Sequence, residues 1–311
     1  MSQRFAAIDI GTVTCRMLVA DVVDGRLVEL AKEYAITNLG EGVDATGVLK
    51  PEAMQRVRDA VARYLQVRDS FINEENPSIK TVAMATSASR DAKNSADFAA
   101  MLSGLGVELS VIPGEKEAAL SFKGASGDFP GEDILVVDIG GGSTEIIAGT
   151  AGQSPVKAHS FNIGCRRVTE RFLHSNPPAK DELEAASAWI REEMRWYFDE
   201  LEESGFAIDR LVAVAGTATS VVSMRESMEE YDSERVHKAV VALPELDRIT
   251  QELAEMTLEQ RENVVGLDPK RAPVIVAGLL ILREILELAG VVSFTASESD
   301  ILQGIVLDSA K

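Results

Sequence analysis

The chain has 311 residues, 46% of them hydrophobic and 26% charged, which is room for about two globular domains with their own cores. Its 31 Lys+Arg against 50 Asp+Glu leave a formal net charge of −19, which argues against nucleic-acid and anionic-membrane binding. Cys15 and Cys165 make neither a disulfide framework nor a zinc spacing, so a reducing, cytoplasmic setting is expected. The opening Met1-Ser2-Gln3-Arg4 runs into a strand-length apolar stretch and does not read as a leader. The long apolar run Val274 to Leu282 is too short to span a bilayer and ends at Arg283-Glu284.

In chain order, Phe5 to Ile10 and Cys15 to Val22 read as a hairpin, with Leu27 to Thr37 as a third strand after a turn at Gly25. Pro51 opens a helix whose apolar stripe, Met54, Val57, Val61, Tyr64 and Leu65, fits a period of 3.6. Lys80 to Ala85 reads as a strand, Arg90 to Leu102 as a helix and Val107 to Ile112 as a strand. Pro113-Gly114 then precedes a helix from Glu115 to about Lys123. The Gly- and Pro-rich stretch Gly124 to Gly131 is the expected linker.

After it the pattern restarts. Strands are expected at 134–138, 145–149 and 156–161, then helices from Cys165 and from Ala179, and a third apolar run, Leu211 to Ala215. A buried helix near Ala272–Leu288, a strand Val291–Thr295 and a last helix from Glu298 follow. The repeated order predicts the α/β class, with two domains related by duplication. The expected boundaries are 1–125 and 126–311, with the C-terminal helix, about 298–311, packing back on the first domain.

Two strands end alike, in Asp9-Ile10-Gly11-Thr12-Val13-Thr14 and in Asp138-Ile139-Gly140-Gly141-Gly142-Ser143-Thr144-Glu145. Glycine loops let backbone N–H groups approach phosphate oxygens, and a strand-end Asp suits Mg²⁺, which prefers oxygen ligands. A lone Asp closing a strand is more often a turn residue. Two such sites before small, hydroxyl-bearing loops point instead to a phosphate held between two related domains. A later turn, Gly216-Thr217-Ala218-Thr219, reads either as a third phosphate-facing turn or as a helix start capped by Thr217 or Thr219.

These segments resemble the superfamily of actin, sugar and acetate kinases and heat-shock ATPases. More specifically, the chain is similar to the exopolyphosphatase and guanosine pentaphosphate phosphatase family. The match runs through Ala6 to Thr12, Leu39 to Val43, Ala85 to Asn94, Ile112 to Ala118, Asp138 to Glu145, Ile163 to Glu170, Ala215 to Thr219, Gly266 to Ala272 and Ser297 to Leu302. The resemblance implies two ribonuclease H-like, actin-like ATPase domains with an active-site cleft between them. It implies Mg²⁺-dependent hydrolysis, with Mn²⁺ as an alternative ion, of a terminal phosphoanhydride of inorganic polyphosphate or guanosine pentaphosphate. It also implies a short form without appended helical domains, hence a preference for short chains, and by analogy a homodimer.

On that resemblance Glu117 aligns with the catalytic Glu, which orients and deprotonates water; taken alone, it reads as a first-turn Glu favoured by the helix dipole. Asp138 and Glu145, with Asp9, are the expected Mg²⁺ ligands. Thr12, Thr14, Gly140, Gly141, Gly142, Ser143, Thr144, Gly216 and Thr217 are the expected phosphate-binding residues, and Arg90 the expected bidentate phosphate donor. Arg16, Arg166 and Arg167 are weaker candidates, and His237, Cys15 and Cys165 read as structural.

The sequence departs from the family pattern at Val13 for Asn, Asn38 for Arg, Pro113 for Ser and Lys116 for Glu. These changes bear on affinity and chain length more than on reaction type. Two readings of other classes stand beside hydrolysis: a kinase or chaperone-like ATPase, which needs an adenosine pocket, and a non-catalytic sensor of polyphosphate or (p)ppGpp.

Overall fold

The computed structural model describes residues 3–310; Met1, Ser2 and Lys311, including the end of the expected last helix, lie outside the described residues. The chain divides into two compact units. One runs up to Gly124 and takes in the residues from Asp300 onward; the other is Ala125–Ser299.

The first unit contains β1 (Gln3–Ile10), β2 (Thr14–Val23), β3 (Arg26–Ile36), α1 (Val43–Thr46), α2 (Pro51–Asp69), β4 (Lys80–Ala85), α3 (Ser87–Asp91), α4 (Ser95–Ser103), β5 (Leu109–Val111) and α5 (Gly114–Ser126). The chain's last helix, Ile301–Ser309, completes it. The sheet order is β3-β2-β1-β4-β5, with β1, β2 and β3 antiparallel and β4 and β5 parallel to β1. Strand β1 is buried on both faces, and its alternation divides two cores. Ala6, Ile8 and Ile10 pack with Val57, Val61 and Tyr64 of α2. Phe5 and Ala7 pack with Leu120 of α5 and with Ile301, Leu302 and Ile305 of the last helix.

Two expectations fail here for the same reason: tertiary contacts override local pattern. The stretch 90–102 is not one helix, because Lys93 and Asn94 bond the loop before α2 while Ala92 packs into the core. Lys93 N–H donates to the Gly47 carbonyl at 2.9 Å, and the Asn94 side chain exchanges bonds of 2.9 and 3.0 Å with the Leu49 backbone. The linker expected over Gly124–Gly131 is helical only at its start: residues 124–126 are the last turn of α5, 127–131 are turns, and the two units divide between Gly124 and Ala125. Gly124 is small so that the backbone of Asp300 can lie against it, and Gly304 of the last helix meets the Leu120 carbonyl in the same way.

Lys116 is also explained here. Its ammonium sits 2.6 Å from Asp308 on the last helix, and Lys123 lies 3.2 Å from the same carboxylate. The Lys116 bond, with help from Lys123, holds the Asp308 carboxyl at about 2, below the ordinary 3.8. A depressed acid stabilises the fold fully above its ordinary pKa and loses that effect as pH falls towards the folded value. The melting-temperature gap between wild type and Lys116→Met is therefore expected to be small, because the pair is half exposed. It should close between pH 3.8 and about 2 in an acid series of thermal melts.

The second unit comprises β6 (Asp133–Ile139), β7 (Thr144–Thr150), β8 (Lys157–Phe161), α6 (Cys165–Phe172), α7 (Lys180–Glu203), β9 (Arg210–Val214), α8 (Ala215–Arg225), α9 (Ser233–Val236), β10 (Val240–Ala242), α10 (Leu243–Glu255), α11 (Leu258–Arg261), α12 (Ala272–Leu288) and β11 (Ser293–Ala296). Read from the other edge its sheet is β8-β7-β6-β9-β11-β10. The first five strands repeat the order and directions of the first unit, and β10 adds an antiparallel edge. Both sheets thus have the ribonuclease H-like order, within the expected α/β class.

Helix α12 is apolar on nearly every face because α6, α7 and α10 surround it. Its buried Glu284 is answered by Arg191 of α7 at 2.6 Å. The last helix starts at Ile301, later than expected, because Asp300 accepts from Leu302 N–H as its cap. No described helix is long and apolar enough to cross a membrane.

Candidate active site

In the first unit, β1 delivers Asp9 to the mouth of the β1–β2 hairpin, where it is 5% exposed. The hairpin closes with Gly11 N–H donating to the Thr14 carbonyl at 2.9 Å. Thr12 is buried beside Gly40 and Ala88, and its Oγ1 has no hydrogen-bond partner. A buried hydroxyl in that state is costly unless a ligand completes it. Asn38 adopts a left-handed φ of 51° and donates its N–H to the Val13 carbonyl at 2.9 Å. Asn tolerates that conformation better than most side chains, which accounts for it at this position.

Glu117 lies in the first turn of α5, 7% exposed, its N–H bonded to the Pro113 carbonyl. Arg90, at the end of α3, donates from Nη1 to Glu117 Oε2 at 3.1 Å and to the Ile112 carbonyl at 2.9 Å. The structure thus brings Arg90 and Glu117 together. One guanidinium edge aims the carboxylate, a positioning contact that sequence spacing did not reveal.

Asp9 lies against an arginine. Arg16, its register partner on β2, donates from Nη2 at 2.7 Å and from Nε at 3.2 Å to Asp9 Oδ2. Arg16 Nη1 also bonds Asp300 Oδ2. Burial pushes the Asp9 carboxyl up, and Arg16 opposes that shift. Asp300 was missed from sequence. Its signal was the polar run Ser297-Glu298-Ser299-Asp300 before an apolar helix, which reads as a cap alone.

In the second unit, Asp138 and Glu145 face each other in register across β6 and β7, 7% and 1% exposed. Directly opposed residues place their side chains on one face of a sheet, about 5 Å apart at Cβ. Ser160 of β8 donates to Glu145 Oε1 at 2.6 Å. The loop between the carboxylates closes as the first one does, with Gly140 N–H donating to the Ser143 carbonyl at 3.0 Å. The start of α6 braces it. Cys165 N–H bonds the Gly140 carbonyl, and the Arg166 and Arg167 N–H groups bond that of Gly141. Arg167 Nε adds a 3.0 Å bond to the Gly142 carbonyl. Gly164 lies so close to Gly141 and Gly142 that no side chain fits there.

Thr144 Oγ1 donates to the Ile163 carbonyl at 2.5 Å, and a hydroxyl has a single proton to give, so this hydroxyl braces the loop. Gly216 lies in the first turn of α8, and that helix start is strained: Ala215 has a φ of 63°, a conformation costing about 1–3 kcal/mol that tends to persist at functional sites. The Arg271 guanidinium covers Gly216, so a Cβ there would overlap it. Arg271 lies in the Gly266–Ala272 segment of the resemblance but was given no role there, because nothing local in the sequence ties it to Gly216. Thr217 is buried against Gly278 of α12, and α8 has no side-chain cap, so the capping alternative is set aside.

His237 accepts from Glu298 N–H at 3.2 Å through Nδ1 and faces Asp128 at 3.6 Å, a structural setting. Cys15 and Cys165 are free and buried, and burial pushes both thiols up, away from nucleophilic thiolate.

Among the described residues no three Asp, Glu, His or Cys side chains gather into a ready-made cation site. Asp138 and Glu145 nonetheless fit Mg²⁺, supplying two hard oxygen donors and leaving positions for water and phosphate. Buried like charges in register disfavour each other unless a cation lies near them.

The arrangement has well-matched relatives. Exopolyphosphatase 2 of Mycobacterium tuberculosis is 39% identical over 324 residues, covering 99% of this chain and 98% of its own. A solved exopolyphosphatase-like protein superposes with a TM-score of 0.89 at 31% identity, covering 99% of this chain and 98% of that one. An exopolyphosphatase from Cytophaga hutchinsonii gives 0.88 at 26% identity, with 99% of each covered. The profile of the Ppx/GppA phosphatase family matches residues 18–311. With that match over most of its length and a relative at 39% identity, the chain belongs to the Ppx/GppA phosphatase family.

Proposed function

We propose that this phosphatase is a Mg²⁺-dependent exopolyphosphatase that releases orthophosphate from the ends of short polyphosphate chains. The observation that carries the reading is the buried Asp138–Glu145 pair beneath the Gly140–Ser143 loop. Paired carboxylates invite a hard cation, and glycine amides beside them invite phosphate oxygen. The relatives named exopolyphosphatase support it.

Asp138 and Glu145 would hold the ion. When bound, Mg²⁺ neutralises phosphate charge and supports departure of the leaving oxygen. The amides of Gly140, Gly141 and Gly142, with Ser143, orient phosphate oxygens, and the unpartnered Thr12 hydroxyl supplies a donor, with Thr14 beside it in the same hairpin. Gly216, under Arg271, offers a further anion-facing turn. Glu117 accepts the proton of the attacking water, its carboxylate aimed by Arg90. Phosphoryl transfer depends mainly on positioning and charge stabilisation, which these groups provide.

The Lys116–Asp308 contact gives the Lys116 departure a folding role. Phosphate release is measured on polyphosphates of graded length, guanosine pentaphosphate and ATP, with Mg²⁺ and with EDTA. Rapid release from short polyphosphate that EDTA abolishes is expected. Equal or faster release from long polymer removes the chain-length preference, and turnover confined to guanosine pentaphosphate or ATP replaces the substrate.

A further inference from the structure

The two hairpins are built on one plan and carry opposite charge patterns. In both, Asp is the penultimate residue of the strand, a glycine N–H closes the turn onto a carbonyl three residues on, and the register partner of the Asp comes at the same spacing. In the second unit that partner is Glu145; in the first it is Arg16. Glu145 adds a carboxylate to a carboxylate. Arg16 places a permanent cation where the duplicated frame elsewhere presents an oxygen ligand.

Arg16 is also held from both sides. Asp9 accepts two of its N–H bonds, and Asp300 accepts a third from the edge facing the last helix. Lys32 adds a second positive charge that acts on Asp300. Two acids therefore share one guanidinium at the first hairpin, whereas the second places an acid opposite an acid.

We propose that Arg16 is a built-in substitute for a divalent cation. The substrate-free chain then binds one such ion, at Asp138 and Glu145, and Asp9 is a partner of Arg16, not a metal ligand. This rests on the reading of Asp138 and Glu145 given above. It assigns different work to two matching Asp residues: one holds an exchangeable ion, the other anchors a fixed guanidinium that also ties down the cap of the last helix.

Electron paramagnetic resonance of Mn²⁺ titrated into the full chain, without substrate and at moderate salt, counts the sites directly. Wild type is expected to bind one ion. Glu145→Gln should weaken it by about 100-fold, as removal of a ligand does, and Asp9→Asn should leave affinity within about threefold, below the usual effect of even an outer-shell change. Arg16→Met, which uncovers Asp9 and Asp300, should gain a second, weaker site. Two ions in wild type, one of them lost in Asp9→Asn, overturn the substitution idea and leave the Asp138–Glu145 site intact. A single ion that Asp9→Asn weakens by about tenfold or more does the same. No bound ion in wild type sinks both. If Arg16→Met does not fold, Asp9→Asn still decides.

Discussion

Glu117→Gln is expected to lower the turnover of phosphate release by about 100- to 10,000-fold, the usual contribution of a positioned general base. KM should change little and the melting temperature should stay near that of wild type. The reason is local. Gln keeps an oxygen that accepts the 3.1 Å bond from Arg90, so the turn at the start of α5 and the Arg90 contact to the Ile112 carbonyl survive. The capacity to take a proton is lost, together with the negative charge that pairs with Arg90. Stopped-time phosphate assays with saturating short polyphosphate, alongside thermal melts, separate the two effects. Turnover within tenfold of wild type would remove Glu117 from the role of base. A large drop in melting temperature would show that its main work is structural.

The second large effect is on folding. Gly304→Ala is expected to destabilise the first unit by about 3 kcal/mol, at the upper end for overpacking, because neither neighbour is a flexible side chain. A Cβ on Gly304 would come within 3.0 Å of the Leu120 carbonyl group of α5, and one on Gly124 would do the same to the Asp300 backbone. The last helix and α5 therefore meet backbone to backbone, and relief requires moving a whole helix. Since Ile301, Leu302 and Ile305 of that helix pack on Phe5 and Ala7 of β1, a shift reaches the strand that carries Asp9. Urea unfolding of Gly304→Ala against a control, Ser309→Ala at the half-buried end of the same helix, measures the cost. A midpoint equal to wild type would mean that the helices separate without penalty.

The order of strands and helices could be read from the sequence because apolar alternation and glycine turns are local signals. Buried strands such as Leu135-Val136-Val137 need no partner to be recognised, and the two Asp-Ile-Gly hairpins announced a duplicated frame. At the candidate site, Asp138 and the Gly140–Ser143 loop carry a chemical reason in their own neighbourhood, whereas Glu117, which alone reads as a first-turn helix Glu, was singled out only by the family resemblance. Helix α10 was passed over although its signal was present, in Pro244 at the start and the spacing of Leu246, Ile249 and Leu253.

What tertiary structure alone decided was pairing over long separations. Arg90 meets Glu117, Arg16 meets Asp300, Arg271 covers Gly216, and Lys116 reaches Asp308. In each case the partners lie on different elements, so no periodicity links them. The same is true of Gly124, which looked like a hinge because glycine is permissive and proved to be a close contact because it is small. Local sequence determines which backbone shapes are cheap and which groups are available. Packing determines which of those groups meet: Arg16 reaches both Asp9 and Asp300 in the first hairpin, whereas Glu145 faces Asp138 in the second.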